Sequence, residues 1–430
     1  MSKEVEIMNY KFLKEFELPK IPEFPDNTVY ITDFGAIPDG KTLCRDAVNN
    51  AIKHCADMGG GTVVVPKGNW VFGAVNMQSN INLHFEEGAN VFFSGDKKDY
   101  LPVVLTTYEA VRVYNYSPLI YGYKLKNIAI TGKGRLDGNG GSWWPWKKIK
   151  KGEEAVFENC IKDTPLEERV YGTEEWCVRS CFLELYDCED ILIEGISIEN
   201  SSYWTVHPVW SKNITVRNIT IESPFNTPNT DGINIDGCNT VLVEDCTVLG
   251  GGDDIIAIKS GRGSDGWNMG RACENVIIRN CKGSDIKGGG IVVGSEMSGG
   301  VNNILAENCH FENIYSCMKV KSKKGRGGFV TNMEYRNITG KNVKYGYNLT
   351  MKYPYVDNAE DADDPKMPVL ENYYIKNLKC DGVVDPIIIE GVEGGVFKNI
   401  YLEDVELLNC ENTATIEFAE NVNMINVTVK

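Results

Sequence analysis

The chain has 430 residues, 42% of them hydrophobic, and a formal charge of −16. That acidic balance speaks against nucleic-acid binding and against attraction to a membrane surface. It admits an acidic substrate only where basic residues cluster locally. No run of ~18 apolar residues, the minimum for a membrane span, occurs.

The length suits two or three compact domains, but a solenoid can run this long as one. The opening stretch, MSKEVEIMNYKFLKEF, lacks the apolar segment of a signal peptide, so a cytoplasmic chain is expected. The 14 cysteines show no Cys-x-x-Cys metal spacing. Cys238, Cys246, Cys281 and Cys309 recur as one slot of a repeat, so reduced thiols buried in a core are expected rather than disulfides.

In chain order, residues 1–28 are charged and punctuated by Pro19, Pro22 and Pro25, and read as an extended arm. A helix is predicted from roughly Cys44 to Met58, where Ala47, Ala51, Ile52 and Cys55 share a face and Gly59-Gly60-Gly61 stops it. Short Val/Ile runs broken by Gly and Asn follow. A stretch around 138–186, holding Trp143, Trp144, Trp146 and Trp176, interrupts the pattern as an insertion. Its tryptophans serve either to pack that insertion or to line a sugar cleft.

Beyond it, one hexamer returns eight times: Asn213–Asn218, Thr240–Asp245, Asn275–Asn280, Asn303–Asn308, Asn332–Asn337, Asn372–Asn377, Asn399–Asp404 and Asn421–Asn426. Successive starts differ by 27, 35, 28, 29, 40, 27 and 22 residues. A fixed lap of about 22 residues with loops added at its corners accounts for that irregularity. Asn and Asp at both ends of the hexamer tolerate the left-handed conformation that bends a chain. Stacked asparagines also form ladders. The prediction is an all-β, right-handed parallel β-helix from residue 29 to 430, a single domain with the early helix capping its open end.

Such a coil gives meaning to a spacing. Asp231, in Asn229-Thr230-Asp231-Gly232, and Asp253, in Gly251-Gly252-Asp253-Asp254, lie 22 residues apart. One lap of separation puts their carboxylates roughly 5 Å apart. Asp253 and Asp254 are adjacent, so in a regular strand they would face opposite ways; Gly251-Gly252 must bend the backbone if both serve one site. Three clustered carboxyls cannot all ionise cheaply. One therefore rises in pKa and becomes a proton donor, while the other two stay charged and activate water.

Lys319 and Lys321 share one face of the Met318-Lys319-Val320-Lys321 strand, followed by Lys323, Lys324 and Arg326. This basic concentration, two laps beyond the aspartates, suits a sugar carboxylate. His207 lies one lap before Asp231 and is either ligand-facing or structural. Arg179 and Asn229 complete the candidate substrate-binding set with Lys319, Lys321 and His207.

From about Tyr30 to Lys430 the chain resembles glycoside hydrolase family 28, the polygalacturonase family. The resemblance rests on Asp33-Phe-Gly-Ala-Ile-Pro-Asp39-Gly, Gly59-Gly-Gly-Thr-Val-Val-Val-Pro66 and the two aspartate motifs. It is nearest to the bacterial exo-type branch through Tyr114-Asn-Tyr-Ser-Pro-Leu-Ile, Trp143-Trp-Pro-Trp, Glu168-Arg-Val-Tyr-Gly-Thr-Glu-Glu and Gly294-Ser-Glu-Met-Ser-Gly-Gly.

The resemblance implies a right-handed parallel β-helix, Asp253 as general acid, and Asp231 and Asp254 positioning and activating the water. It also implies inversion, with no metal or other cofactor. Two departures stand out. The family's histidine in a Gly-His-Gly stretch is absent from Lys287-Gly288-Gly289-Gly290, and its Arg-x-Lys is Lys319-Val320-Lys321 here. Lysine lacks arginine's bidentate fork. The expected activity is inverting hydrolysis of pectin-derived oligosaccharides, exo-acting on galacturonate-containing chains. The alternatives are the same mechanism on a rhamnogalacturonan fragment or another plant glycoside, a non-catalytic carbohydrate-binding β-helix, and a lyase on the same architecture. The one partner expected is the oligosaccharide; the oligomeric state is left open.

Overall fold

A computed structural model describes residues 11–354 and 365–430. Residues 1–10 of the anticipated arm lie outside the described range. The chain winds into a parallel β-helix whose laps stack along three parallel sheets. The first sheet runs from Thr28–Tyr30 through Lys212–Arg217, Asn239–Glu244 and Cys273–Arg279 to Ala419–Val429. The second starts at Asp39–Leu43 and includes Thr220–Ser223 and Thr247–Gly250. The third carries Val206–Val209, Ile233–Asp236, Ile256–Lys259 and Gly289–Gly294.

The hexamer is the first-sheet strand. Its inward positions align from lap to lap, so Ile191, Ile214, Val241, Val276, Ile304 and Met333 form one buried column. Both ends of the hexamer adopt left-handed backbone, for example Asn275 at φ 58° and Asn280 at φ 56°. Their amides do form ladders: Asn303 Nδ2 donates to Asn275 Oδ1 at 2.7 Å, and Asn377 Nδ2 to Asn337 Oδ1 at 2.8 Å.

The cysteines occupy two slots, not one. Cys246, Cys281 and Cys309 follow the hexamer, their carbonyls each accepting from the next lap, whereas Cys188 and Cys238 precede the first-sheet strand. All 14 are free thiols, 13 of them buried.

The predicted helix spans Arg45–Asp57 and seats Val48, Ala51, Ile52 and Cys55 on the first lap's core. The insertion adds a helix that the periodicity did not disclose, Lys151–Ile161, and a short one lies at Gly263–Met269. Trp143 is fully buried among Tyr100, Tyr116 and Trp146, Trp144 Nε1 donates to the Ser201 carbonyl at 2.9 Å, and Trp176 packs on Tyr171. These tryptophans pack the insertion and line no part of the cleft described below. An antiparallel hairpin, Val104–Tyr108 with Val111–Asn115, reaches over the third sheet beside this insertion. Among the described residues no helix is long and apolar enough to cross a membrane.

Candidate active site

The cleft lies on the outer face of the third sheet, where the aspartate corners enter their strands. Pairing of Ile233 with Ile256 sets Asp231 level with Asp254, and the Gly232 amide donates to the Asp254 carbonyl at 2.9 Å. The lap is thus one residue longer than the 22-residue spacing suggested, and Asp253 is the extra residue at the bend. Gly250 (φ 65°) and Gly251 (φ 105°) make that bend, and at Gly252 a Cβ would overlap the Thr227 carbonyl. Side chains that would otherwise face opposite ways are brought to one place: Asp231, Asp253 and Asp254 each present an oxygen, all within 4.8 Å of one another.

Their environments differ. Asp254 Oδ1 accepts from the Gly289 amide at 2.9 Å and its Oδ2 from Lys321 Nζ at 2.8 Å. Burial opposes its charge, but Lys321, Lys259 and that amide outweigh it and hold the carboxyl below its ordinary value. Among the described residues Asp253 has only a 3.4 Å contact from Asn229 Nδ2; burial first, then the Asp254 charge, push it up to about 6. Asp231 is buried, its Oδ1 unpartnered, and burial together with Asp253 raises it well above the usual range. The trio therefore contains two raised carboxyls and one lowered, where the sequence suggested one raised.

Of the anticipated binding residues, Lys319 and Lys321 line the cleft. Lys321 is bound to Asp254, which carries its ammonium well above the ordinary value although burial works the other way. It holds the carboxylate in its charged form and is not a free anion receptor. Lys319 stands over the Tyr315 ring, 4.5 Å from its centroid, and burial with Lys321 nearby lowers it to about 8. Asn229 lines the cleft as well.

Arg179 and His207 do not reach it. Arg179 is 1% exposed, stacks on Tyr203 and donates to Asn229 Oδ1 at 2.7 Å, so it orients Asn229 from behind. His207 is fully buried between Glu184 Oε2 at 3.1 Å and Asp236 Oδ2 at 3.6 Å, with Trp204 edge-on to its ring. Val206 pairs with Ile233, so Trp204 and not His207 lies one lap before Asp231, and Glu184, Asp236 and Trp204 enclose the imidazole away from the cleft.

Several cleft residues were not anticipated. Lys259 Nζ pairs with Glu296 Oε2 at 2.7 Å and lies over the Trp204 ring; Arg262 bonds the other oxygen, Oε1, also at 2.7 Å. Those cations outweigh burial and keep Glu296 well below the ordinary value. Glu296 stands inside the Gly294-Ser-Glu-Met stretch, so a signal was present. Lys259 had one too, as the outward neighbour of Asp236 in the next lap. Tyr353 and Glu109 come from a distant loop and from the hairpin tip, and carried none.

Among the described residues two groups converge closely enough to ligate a cation: the aspartate trio, and Cys181, Glu184 and His207. The second is fully closed, its Glu184 already accepting from Thr106 Oγ1 at 2.7 Å. The trio with its lysines sets a carboxyl raised to about 6 beside a carboxylate held in its charged form, an arrangement that can move a proton.

Comparison with known proteins agrees with this chemistry. The family model for glycosyl hydrolases family 28 matches residues 55–428. A solved exopolygalacturonase from Thermotoga maritima superposes with a TM-score of 0.86 at 36% identity, covering 95% of this chain and 94% of that one. A probable polygalacturonase from Vitis vinifera is 32% identical over 388 residues, 88% of this chain and 73% of its own length. An exo-poly-alpha-D-galacturonosidase from Dickeya chrysanthemi is 25% identical over 81% of this chain, which spans 61% of that protein. Fold, carboxyl cluster and family match coincide, and the chain belongs to glycosyl hydrolases family 28.

Proposed function

We propose that this glycoside hydrolase removes galacturonate units from the ends of pectin-derived oligosaccharides, with inversion, as an exo-acting enzyme of the bacterial type. The observation that carries the mechanism is the opposed tuning of neighbours, Asp253 near 6 and Asp254 held charged by Lys321. Asp253 protonates the glycosidic oxygen, Asp254 takes the proton of the attacking water, and Asp231 holds that water through its open Oδ1. A retaining course needs a free carboxylate as nucleophile. Asp254 has both oxygens engaged and Asp231 is pushed toward its neutral form, which favours attack by water instead. The trio is tighter than the ~6.5–9.5 Å usual for an isolated acid and base; the third carboxyl supplies a second hold on the water.

The exo reading is supported by the exopolygalacturonase likeness and by the cleft's shape. Past the aspartates one end closes against Glu109, Trp204, Arg262 and Glu296, while the other opens along Tyr315, Lys319, Tyr345 and Lys352. The lysines on that open side give an acidic protein a basic channel for a polyanion. We also place the enzyme in a reducing compartment, the cytoplasm, on the strength of its 14 free thiols; fractionation of the source cells tests this.

Asp253→Asn is expected to lower kcat on oligogalacturonides by roughly 10²–10⁴-fold. Full activity in that variant overturns the acid assignment. Anomeric NMR of the first product decides the stereochemistry, and a retained anomer overturns inversion.

A further inference from the structure

The closed end of the cleft is made by the tip of the hairpin Val104–Asn115, and the residue at that tip is Glu109. Glu109 is 7% exposed and lines the closed pocket with Asp231, Asp253 and Lys259. Glu109 Oε2 accepts from Arg262 NH2 at 3.3 Å, and its carbonyl accepts from Arg262 Nε at 3.0 Å. Glu109 Oε1 is buried and has no hydrogen-bond partner among the described residues. A buried carboxylate oxygen left bare in a pocket is costly unless a ligand donor completes it.

The backbone is strained to put it there. Glu109 (φ 49°) and Ala110 (φ 59°) both adopt left-handed conformation in a two-residue turn that ordinarily takes Asn-Gly. Surrounding contacts enforce it. The Ala110 carbonyl accepts from the Arg262 amide, Arg112 pairs with the buried Asp265, and Thr106 is tied to Glu184. Strain over-determined in this way is characteristic of ligand clamps.

We infer that Glu109 reads the terminal sugar of the chain and so sets exo specificity; this rests on the exo reading above. Of the two carboxyls assigned to the water, Asp231 lines the closed pocket and Asp254 the open channel, and Asp253 lines both, so the scissile bond lies where the two meet. On the exo reading the closed side, which has no room for a chain to continue, takes the non-reducing-end sugar, and the leaving chain occupies the open side. A non-reducing-end sugar has a free hydroxyl where an internal sugar carries its next linkage. A carboxylate accepts a hydrogen bond from that hydroxyl. An ether oxygen has no proton to offer, and a further sugar would run into the hairpin. Acting through ground-state and transition-state contact with the sugar, Glu109 is a specificity residue and takes no part in proton transfer.

The test uses two trisaccharides of galacturonate: one saturated, and one whose non-reducing end is unsaturated and lacks that hydroxyl. The wild type is expected to prefer the saturated trimer by about ten- to a hundredfold in kcat/KM. In Glu109→Gln and Glu109→Ala the preference collapses toward unity, by loss of rate on the saturated substrate, with thermal melting confirming that each variant is folded. Glu109→Gln keeps an acceptor for Arg262, so it separates sugar recognition from support of the hairpin. A wild-type preference that survives in both folded variants overturns the assignment of Glu109 and leaves exo cleavage standing. Internal cleavage of longer chains by the wild type, with no preference between the trimers, overturns the exo reading itself and this inference with it.

Discussion

At the scale of single residues, the site trades stability for chemistry, and the sign of that trade is testable. Asp253 titrates near 6 in the folded protein and near 3.9 when unfolded. A carboxyl whose folded pKa is raised favours the folded state only below its unfolded pKa. As pH rises through about 6, the unfolded chain releases its proton more readily and stability is lost. Two units correspond to roughly 1–3 kcal/mol. Asp253→Asn is therefore expected to melt higher than the wild type at pH 8, with the gain fading below about pH 4. Equal melting temperatures across that range would mean that Asp253 is charged at no cost and is not tuned as an acid. The aspartates were legible because their types and spacing sit in consecutive sequence. Glu109 was not, because a residue delivered by a strained turn about 140 positions before its neighbours leaves no periodic trace.

At the scale of elements, the repeat was legible because inward apolar and outward polar positions alternate in every first-sheet strand, bounded by Asn at positive φ. The helix Lys151–Ile161 was not, since its buried face is only Val156, Phe157 and Cys160 beside Gly152 and Glu153. The third-sheet strand Gly289–Gly294 explains how this chain manages without the family histidine. A Cβ on Gly289 would lie 2.6 Å from Val292 Cγ2, a stiff branched side chain, and 3.7 Å from Asp254 Oδ1. Val292 thus fills the space a larger side chain at 289 would need, while the Gly289 amide still bonds Asp254. Gly289→His alone is expected to destabilise by about 1–3 kcal/mol through overpacking and to lower kcat by disturbing Asp254. Adding Val292→Ser should recover most of the loss, as measured by urea melts of the two variants and of Val292→Ser. Additivity of the two single changes would show that the positions do not compete for space.

At the scale of the whole molecule, a solenoid is stabilised mainly between neighbouring laps, and distant laps are only weakly coupled. The described part of the arm, which sequence could identify as extended but not place, runs along the outside of the first sheet and bridges laps far apart. The Lys11 and Phe12 amides donate to Glu334 Oε1 at 2.6 and 2.8 Å, and Phe12 meets the Tyr401 ring. The Lys14 amide donates to Asn303 Oδ1 at 2.9 Å, and Leu13 and Phe16 pack on Leu242, Ile277 and Leu305. Further along, the Glu23 carbonyl accepts from Asn127 and Asn27 donates to the Gly60 carbonyl. The strap therefore ties early laps to late ones on a sheet the cleft does not use. Leu13→Ala with Phe16→Ala removes its apolar grip, at about 1–2 kcal/mol for each half-buried side chain. The expected result is a lower and broader urea transition, with hydrogen exchange rising first in the laps from Asn275 to Asn337, while kcat/KM is unchanged because the third sheet keeps its core. A sharp transition shifted without broadening would show the laps to be coupled through their own core, with the strap adding stability but no cooperativity.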